Sequence, residues 1–142
     1  MNRKAFTMIE IIFVIVIIGS ILLFAIPGVT KMIENSKKDT MIIDAKDMVQ
    51  KAKIYIMAGK AKYPTYNSLT LTLNQIDSRK EIKDSPFGGS YKREESFVKI
   101  KKQNSEYVFT VTLIDEKGNK IKNVDSNELN GDDRYTKVQT GE

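Results

Sequence analysis

The chain of 142 residues contains neither cysteine nor histidine. Without cysteine it cannot form disulfide bonds, so an exported domain of this size must be held by its core, by a metal ion or by association with copies of itself. The two absences also remove the commonest general base, the soft metal ligands and the thiol nucleophile. A formal net charge of +5 is too small to indicate a nucleic-acid-binding stripe. We therefore expect no enzyme, no catalytic residue and no resident cofactor.

Residues 6–26 form an apolar run whose only charged side chain is Glu10. A helix of this length rises about 30 Å, which matches the hydrocarbon core of a bilayer, so the run predicts a transmembrane helix. The rest of the chain is long enough for one small soluble domain. An acid in a membrane span is costly unless it has a partner, which makes Glu10 a candidate functional residue.

Two ordinary interpretations of the N-terminus fit only in part. A secretory signal peptide would use residues 11–26 as its apolar core, but Pro27 follows where a cleavage site needs small residues, and Glu10 interrupts the start of the core. A plain signal anchor, with Arg3 and Lys4 held in the cytoplasm, explains the span. It gives the carboxylate no role.

The segment Lys4–Glu10, K-A-F-T-M-I-E, resembles the class III leader junction of type IV pilins and pseudopilins. That junction has a basic leader and a Gly, followed by Phe-Thr-Leu-Ile-Glu and a hydrophobic stretch. Met8 replaces the Leu conservatively, whereas Ala5 stands where Gly is usual. The matching positions are Phe6, Thr7, Ile9 and Glu10.

The resemblance implies a processing and assembly mechanism. A prepilin peptidase would remove the leader, residues 1–5, by cutting between Ala5 and Phe6, and would then methylate the new amino group of Phe6. In filaments of similar proteins the Glu side chain faces the N-terminal ammonium of a neighbouring subunit. Phe6 and Glu10 are therefore expected to set the register of subunit assembly, since each charge is costly in hydrocarbon without the other.

The helix is predicted to continue beyond the membrane. Gly19 and Pro27 fall where related proteins often carry Gly and Pro, which implies flexibility between them on assembly, and we expect Pro27 to kink the helix without ending it. Residues 28–60 then form an amphipathic helix, with Gly59 as its C-terminal punctuation. The residues that repeat on its apolar face are Met41, Ile42, Ala45, Met48, Val49, Ala52, Tyr55 and Ile56.

Residues 61–91 are rich in Ser, Thr, Pro and Gly, which is typical of a connecting region. Within it, Leu69, Leu71 and Leu73 alternate with threonines as in a strand, although a short helix often occupies the corresponding stretch of pilin-like proteins, so both assignments remain open. Ser85–Tyr91, S-P-F-G-G-S-Y, resembles the D-P-W-G-x-x-Y segment that precedes the sheet in many pseudopilins.

A small sheet is predicted within residues 92–124. Strands are expected at 97–102, 107–114 and near 120–124, joined by hairpin turns. The middle strand has apolar or β-branched residues on both faces, which indicates a central position. The predicted fold class is α+β: a long N-terminal helix, membrane-embedded in its first half and amphipathic in its second, packed on a small antiparallel β-sheet.

Residues 125–142 are predicted to be a polar tail. Some major pseudopilins place calcium in this region, but the spacing is not that of an EF-hand loop, because Gly131 comes one residue late and no bidentate Glu follows. A solvated acidic loop is the preferred interpretation, and a loose end is expected after Arg134. The weak calcium candidates are Asp125, Asn127, Asn130, Asp132 and Asp133.

The resemblance implies a structural subunit of a type IV pilus or pseudopilus-like filament, single-pass in the cell membrane as a precursor and extracellular or envelope-spanning after assembly. Its expected partners are copies of itself, other pilin-like subunits, the membrane, a prepilin peptidase, an assembly platform and an ATPase. Nucleic acid becomes a partner only if the filament serves competence, and adhesion, motility, secretion and competence all remain open. The alternative from another class is a membrane-anchored adhesion or binding module that does not polymerise.

Overall fold

The computed structural model describes residues 6–141. The predicted leader at residues 1–5, including Ala5 at the cleavage junction, lies outside the described residues. The chain divides into two units at Ser36, and the second unit begins at Lys37. The buried residues of the long N-terminal helix all lie in the second unit.

One long helix, α1 (Met8–Met57), contributes to both units. In the first unit it continues through Gly19 and Pro27. The Thr30 hydroxyl donates to the Pro27 carbonyl at 3.0 Å. By length and composition, this helix can cross a membrane, and none of its most apolar window is buried in the protein.

In the second unit, α1 buries one face against a sheet, as predicted. It ends at Met57, before the predicted bound at residue 60. Gly59 adopts a left-handed φ of +74° and donates its N–H to the Ile56 carbonyl at 2.9 Å. The Lys60 N–H reaches the Tyr55 carbonyl at 3.2 Å, which completes a Schellman motif. The buried helical residues are Met41, Ile42, Ala45, Met48, Val49, Ala52 and Ile56.

Five antiparallel strands form the sheet in sequence order. The fold is therefore α+β, with one long N-terminal helix packed on the sheet, and the central position predicted for the 107–114 strand is confirmed. A short helix, α2 (Leu73–Ile76), follows the first strand. The strands are β1 (Ser68–Thr72), β2 (Phe97–Gln103), β3 (Glu106–Ile114), β4 (Lys120–Asp125) and β5 (Val138–Gln139).

The core follows the strand register. Leu71 pairs with Val98, Val98 with Val111 and Val111 with Val124, so one row of apolar side chains crosses four strands. All four residues are buried beneath α1. A two-residue turn joins β2 to β3, with left-handed φ values at both Asn104 and Ser105. Two such residues match the right-handed twist of the hairpin.

The connecting region and the end of the chain both contain regular structure. The connecting region contains both of the structures left open, because β1 is followed directly by α2. The prediction of a loose end after Arg134 is wrong for the described residues, because β5 pairs with β4 there. Leu129 and Val138 are both buried in the core, and their burial fixes this otherwise polar stretch.

Candidate functional site

The start of α1 is closed by a reciprocal pair of residues, Thr7 and Glu10. The Thr7 backbone N–H and hydroxyl each donate to Glu10 Oε2 at 2.9 Å. The Glu10 backbone N–H in turn donates to Thr7 Oγ1 at 3.4 Å. Because Thr7 precedes the first helical residue, this is a capping box, which satisfies two backbone donors that the helix itself leaves unpaired.

The T-x-x-E spacing of a capping box is visible in the sequence at Thr7 and Glu10. The resemblance to pilins concerns the charge of Glu10 and does not indicate its role in the cap. Its carboxylate has partners within its own chain, and the position at the helix N-terminus favours a negative charge. Only Oε2 is used: among residues 6–141, no donor reaches Oε1. Within this described part of the chain, Oε1 therefore keeps its capacity to accept a hydrogen bond.

The surroundings of this carboxylate are apolar and exposed. Phe6 is 77% exposed and Met8 81%, and every residue from 6 to 34 is exposed. A large exposed apolar surface of this kind is typical of a segment that contacts lipid or another protein. At Gly19, an added Cβ would meet nothing within 4 Å, so no close contact among the described residues requires glycine there.

The Ser85–Tyr91 segment is fixed at both ends. Ser85 donates through its hydroxyl to Oδ2 of the buried Asp115 at 2.6 Å, beside the turn between β3 and β4. The Tyr91 hydroxyl donates to Oδ2 of Asp44 on α1 at 2.7 Å. Burial raises the pKa of both Tyr91 and Asp44. The segment therefore links α1 to the sheet.

A second polar cluster surrounds Asp77, which is only 2% exposed. Its carboxylate accepts from Arg93 Nη2 at 3.1 Å and from two backbone N–H groups, and Lys51 Nζ lies 3.4 Å away. Lys51 also pairs with Glu81. Burial alone would raise the pKa of Asp77, but these donors and the Lys51 charge hold it below its ordinary value. No sequence motif indicated this cluster.

The end of the chain is tied to α1 through Asp39. The Tyr135 hydroxyl donates to Asp39 Oδ2 at 2.7 Å, and Arg134 Nε donates to Oδ1 at 3.1 Å. The Tyr135 hydrogen bond is the main reason that the pKa of Asp39 is lowered. These contacts join residues that are far apart in sequence.

The acidic side chains of the loop after β4 form contacts within the chain. Within the described residues, no three acidic side chains come together to hold an ion. Asp125 Oδ1 accepts the Asn127 N–H at 2.8 Å, and Lys137 pairs with Glu128 at 2.6 Å and with Asp133 at 3.5 Å. Carboxylates of this loop thus contact a backbone N–H and the Lys137 side chain near the chain end.

No protein-family profile, curated protein or solved structure matches this chain. Its function must therefore be inferred from two features: an apolar helix that starts with a capped acid, and a compact α+β unit.

Proposed function

We propose that this protein is a structural subunit of a type IV pilin-like filament, which polymerises through the N-terminal part of α1. The observation that carries the proposal is the Glu10 carboxylate, held at the start of an exposed apolar helix, whose Oε1 accepts no hydrogen bond from residues 6–141. The Phe-Thr-x-Ile-Glu motif stands where the helix begins.

Processing would supply the missing donor. Cleavage between Ala5 and Phe6 turns the Phe6 nitrogen into an ammonium group, and methylation leaves its charge in place. The ammonium of one subunit then pairs with Glu10 of its neighbour, which removes two charges from an apolar environment. Because the Thr7 hydrogen bonds already orient the carboxylate, less conformational entropy is lost when the pair forms.

The proposal places the precursor in the membrane as a single-pass protein and the mature subunit in a filament outside it. A prepilin peptidase, an assembly platform and an ATPase are the partners that this life cycle requires. The second unit would form the outer body of the filament. Its helix and sheet bury a shared core of apolar side chains.

A second candidate function is a membrane-anchored binding module that does not polymerise. The capping box favours it, because Glu10 then has a structural role in its own helix and needs no partner subunit. The filament requires the charge of Glu10, whereas the anchored module requires only its capping role.

Two substitutions separate these demands. Glu10→Gln keeps an N3 side chain that can complete the capping box but removes the charge. Thr7→Ala keeps the charge but removes the cap hydroxyl. If Glu10 pairs with a neighbouring ammonium, Glu10→Gln abolishes filament formation in a reconstituted assembly system, whereas Thr7→Ala still polymerises.

Normal filaments from Glu10→Gln would reject the intersubunit role and support the anchored module. The same samples give the processing state by intact mass. A mature N-terminus at methylated Phe6 is expected for both variants, and retention of Met1 in the unaltered protein would remove the basis of the filament proposal.

A further inference from the structure

Two exposed tyrosines stack at the end of the sheet where β2 turns into β3. The ring centroids of Tyr63 and Tyr107 lie 4.4 Å apart, with an angle of 31° between the ring planes. Tyr63 is 37% exposed and Tyr107 is 36% exposed, so the pair reaches the surface. Buried aromatic pairs are ordinary core contacts, but a pair at the surface also offers exposed aromatic area, here called a platform, to a ligand.

Two lysines lie on the side of the sheet that carries Tyr107. Lys102 lies directly opposite Tyr107 across the hairpin and on the same face of the sheet. Lys53 of α1 lies 5.0 Å from the ring centroid of Phe109, the next residue on that face. Among residues 6–141, neither lysine forms an ion pair with a carboxylate.

The nearest acid along the hairpin belongs to the other face. Glu106 pairs with Gln103, and both alternate with Tyr107 and Lys102 along their strands. The platform therefore combines two aromatic rings with unpaired positive charge. We refer to Tyr63, Tyr107, Lys102 and Lys53 as the tyrosine–lysine platform.

We infer that the tyrosine–lysine platform binds single-stranded nucleic acid. Unpaired bases stack on exposed aromatic rings without regard to sequence, while lysines neutralise the phosphates that connect them. In a duplex the bases are stacked on one another and are not available to the tyrosines. An anionic polymer without bases has no ring that could stack on them. Binding at this surface does not depend on filament assembly and can be measured on the single subunit.

The test uses the full chain in neutral detergent micelles and a fluorescein-labelled oligothymidylate, with binding followed by anisotropy. Tyr63→Ala and Tyr107→Ala are each expected to weaken binding about fivefold or more, which is the lower end of what one lost base stack costs. Tyr107→Phe retains the ring and should bind like the unaltered protein. Circular dichroism of each variant reports whether the fold is kept. If Tyr107→Ala does not fold, Tyr63→Ala still tests the platform, because Tyr63 lies outside the strands.

The charge control comes from adjacent residues on one strand. Lys102→Gln removes a charge from the platform, whereas Lys101→Gln removes the same charge from the opposite face of β2. Only Lys102→Gln should weaken binding substantially, and raising the salt concentration should weaken it further.

Competitors identify the ligand class. Unlabelled oligothymidylate should displace the probe at lower phosphate concentration than inorganic polyphosphate or a duplex of equal length. The inference is overturned if polyphosphate competes equally well, if both tyrosine-to-alanine variants bind normally, or if the unaltered chain does not bind the oligonucleotide. Each of these results leaves the filament proposal intact, since none concerns the start of α1.

Discussion

The Tyr91 hydroxyl donates a 2.7 Å hydrogen bond to Oδ2 of Asp44 and so joins the segment before β2 to α1. Tyr91 is 3% exposed, and Asp44 is half-buried. A buried hydrogen bond to a charged group stabilises a fold more than a bond between neutral groups does. This hydrogen bond is therefore expected to contribute to the stability of the packing between α1 and the sheet.

Removing the hydroxyl tests that contact. Tyr91→Phe leaves the ring in place but leaves Asp44 without its donor, so the free energy of unfolding should fall by about 1.5 to 3 kcal/mol. Urea unfolding of the full chain in micelles, followed by tyrosine circular dichroism, gives the value. Tyr66→Phe is the matched control, since Tyr66 is 94% exposed, and it should change nothing. Equal stability of the two variants would contradict the prediction.

The pH dependence of Asp44 has an unusual sign for an acid. Burial raises its folded-state pKa, with the Tyr91 hydrogen bond opposing the shift. The contribution of this group to stability is therefore full below its unfolded pKa and is lost as the pH rises through the folded pKa. Asp44→Asn cannot ionise and should remove this loss, so the variant gains stability relative to the unaltered chain between acidic and neutral pH. A parallel pH profile for both proteins would refute this.

Asp77 has the opposite sign. Its folded-state pKa is lowered, because the hydrogen bonds from Glu81, Arg93 and Ile82 and the Lys51 charge outweigh burial. Its stabilising contribution is present above the unfolded pKa and is lost as the pH falls through the folded pKa. Asp77→Ala should lower the free energy of unfolding at neutral pH by about 3 kcal/mol, since Arg93 is left without its carboxylate. The loss should shrink in acid, whereas the exposed Asp132→Ala serves as a control with little effect.

The β2–β3 turn allows a stabilising substitution. Ser105 has a φ of +70°, which is unfavourable for a residue with a Cβ and free of that penalty for glycine. Ser105→Gly should therefore raise the free energy of unfolding by about 0.5 to 1 kcal/mol, as the Asn-Gly pair is favoured in such turns. Ser126→Gly, at a position without positive φ, should be neutral or destabilising. A loss of stability in Ser105→Gly would show that the positive φ at position 105 does not reduce the stability of the protein.

Calcium should leave the protein unchanged. The acidic side chains after β4 hold Lys137 and a backbone N–H, and no three of the described carboxylates share a site. Weak extracellular calcium sites bind at about millimolar concentration. The melting temperature of the full chain should therefore be the same in about millimolar calcium as in the presence of a chelator. A clear calcium-dependent increase would restore the calcium interpretation.

The elements that were predictable are those with long, regular patterns. The apolar stripe from Met41 to Ile56 repeats at helical spacing, and the residues of β3 alternate with β-branched neighbours, so burial and strand position followed directly. Gly59 likewise ends α1 because glycine tolerates the left-handed conformation. Among the candidate site residues, the approximate place of Glu10 in the helix was predictable, whereas its capping partner was overlooked.

Other features depended on contacts between distant residues. Nothing local to Asp77 indicates that Lys51 and Arg93 converge on it, and nothing in the polar end of the chain indicates that Val138 completes the sheet. A short polar segment has no periodicity of its own, so only the partner strand and the core decide its structure.

The amino-acid sequence by itself determined an apolar helix able to cross a membrane, an amphipathic continuation, and three strands, because these depend on periodicity and on the solvent that each face requires. Tertiary structure alone decided which acids are buried and in which direction their pKa values shift. It also decided that Tyr63 reaches Tyr107 across 44 positions of sequence. Such pairings arise from packing, which brings together residues that no local pattern relates.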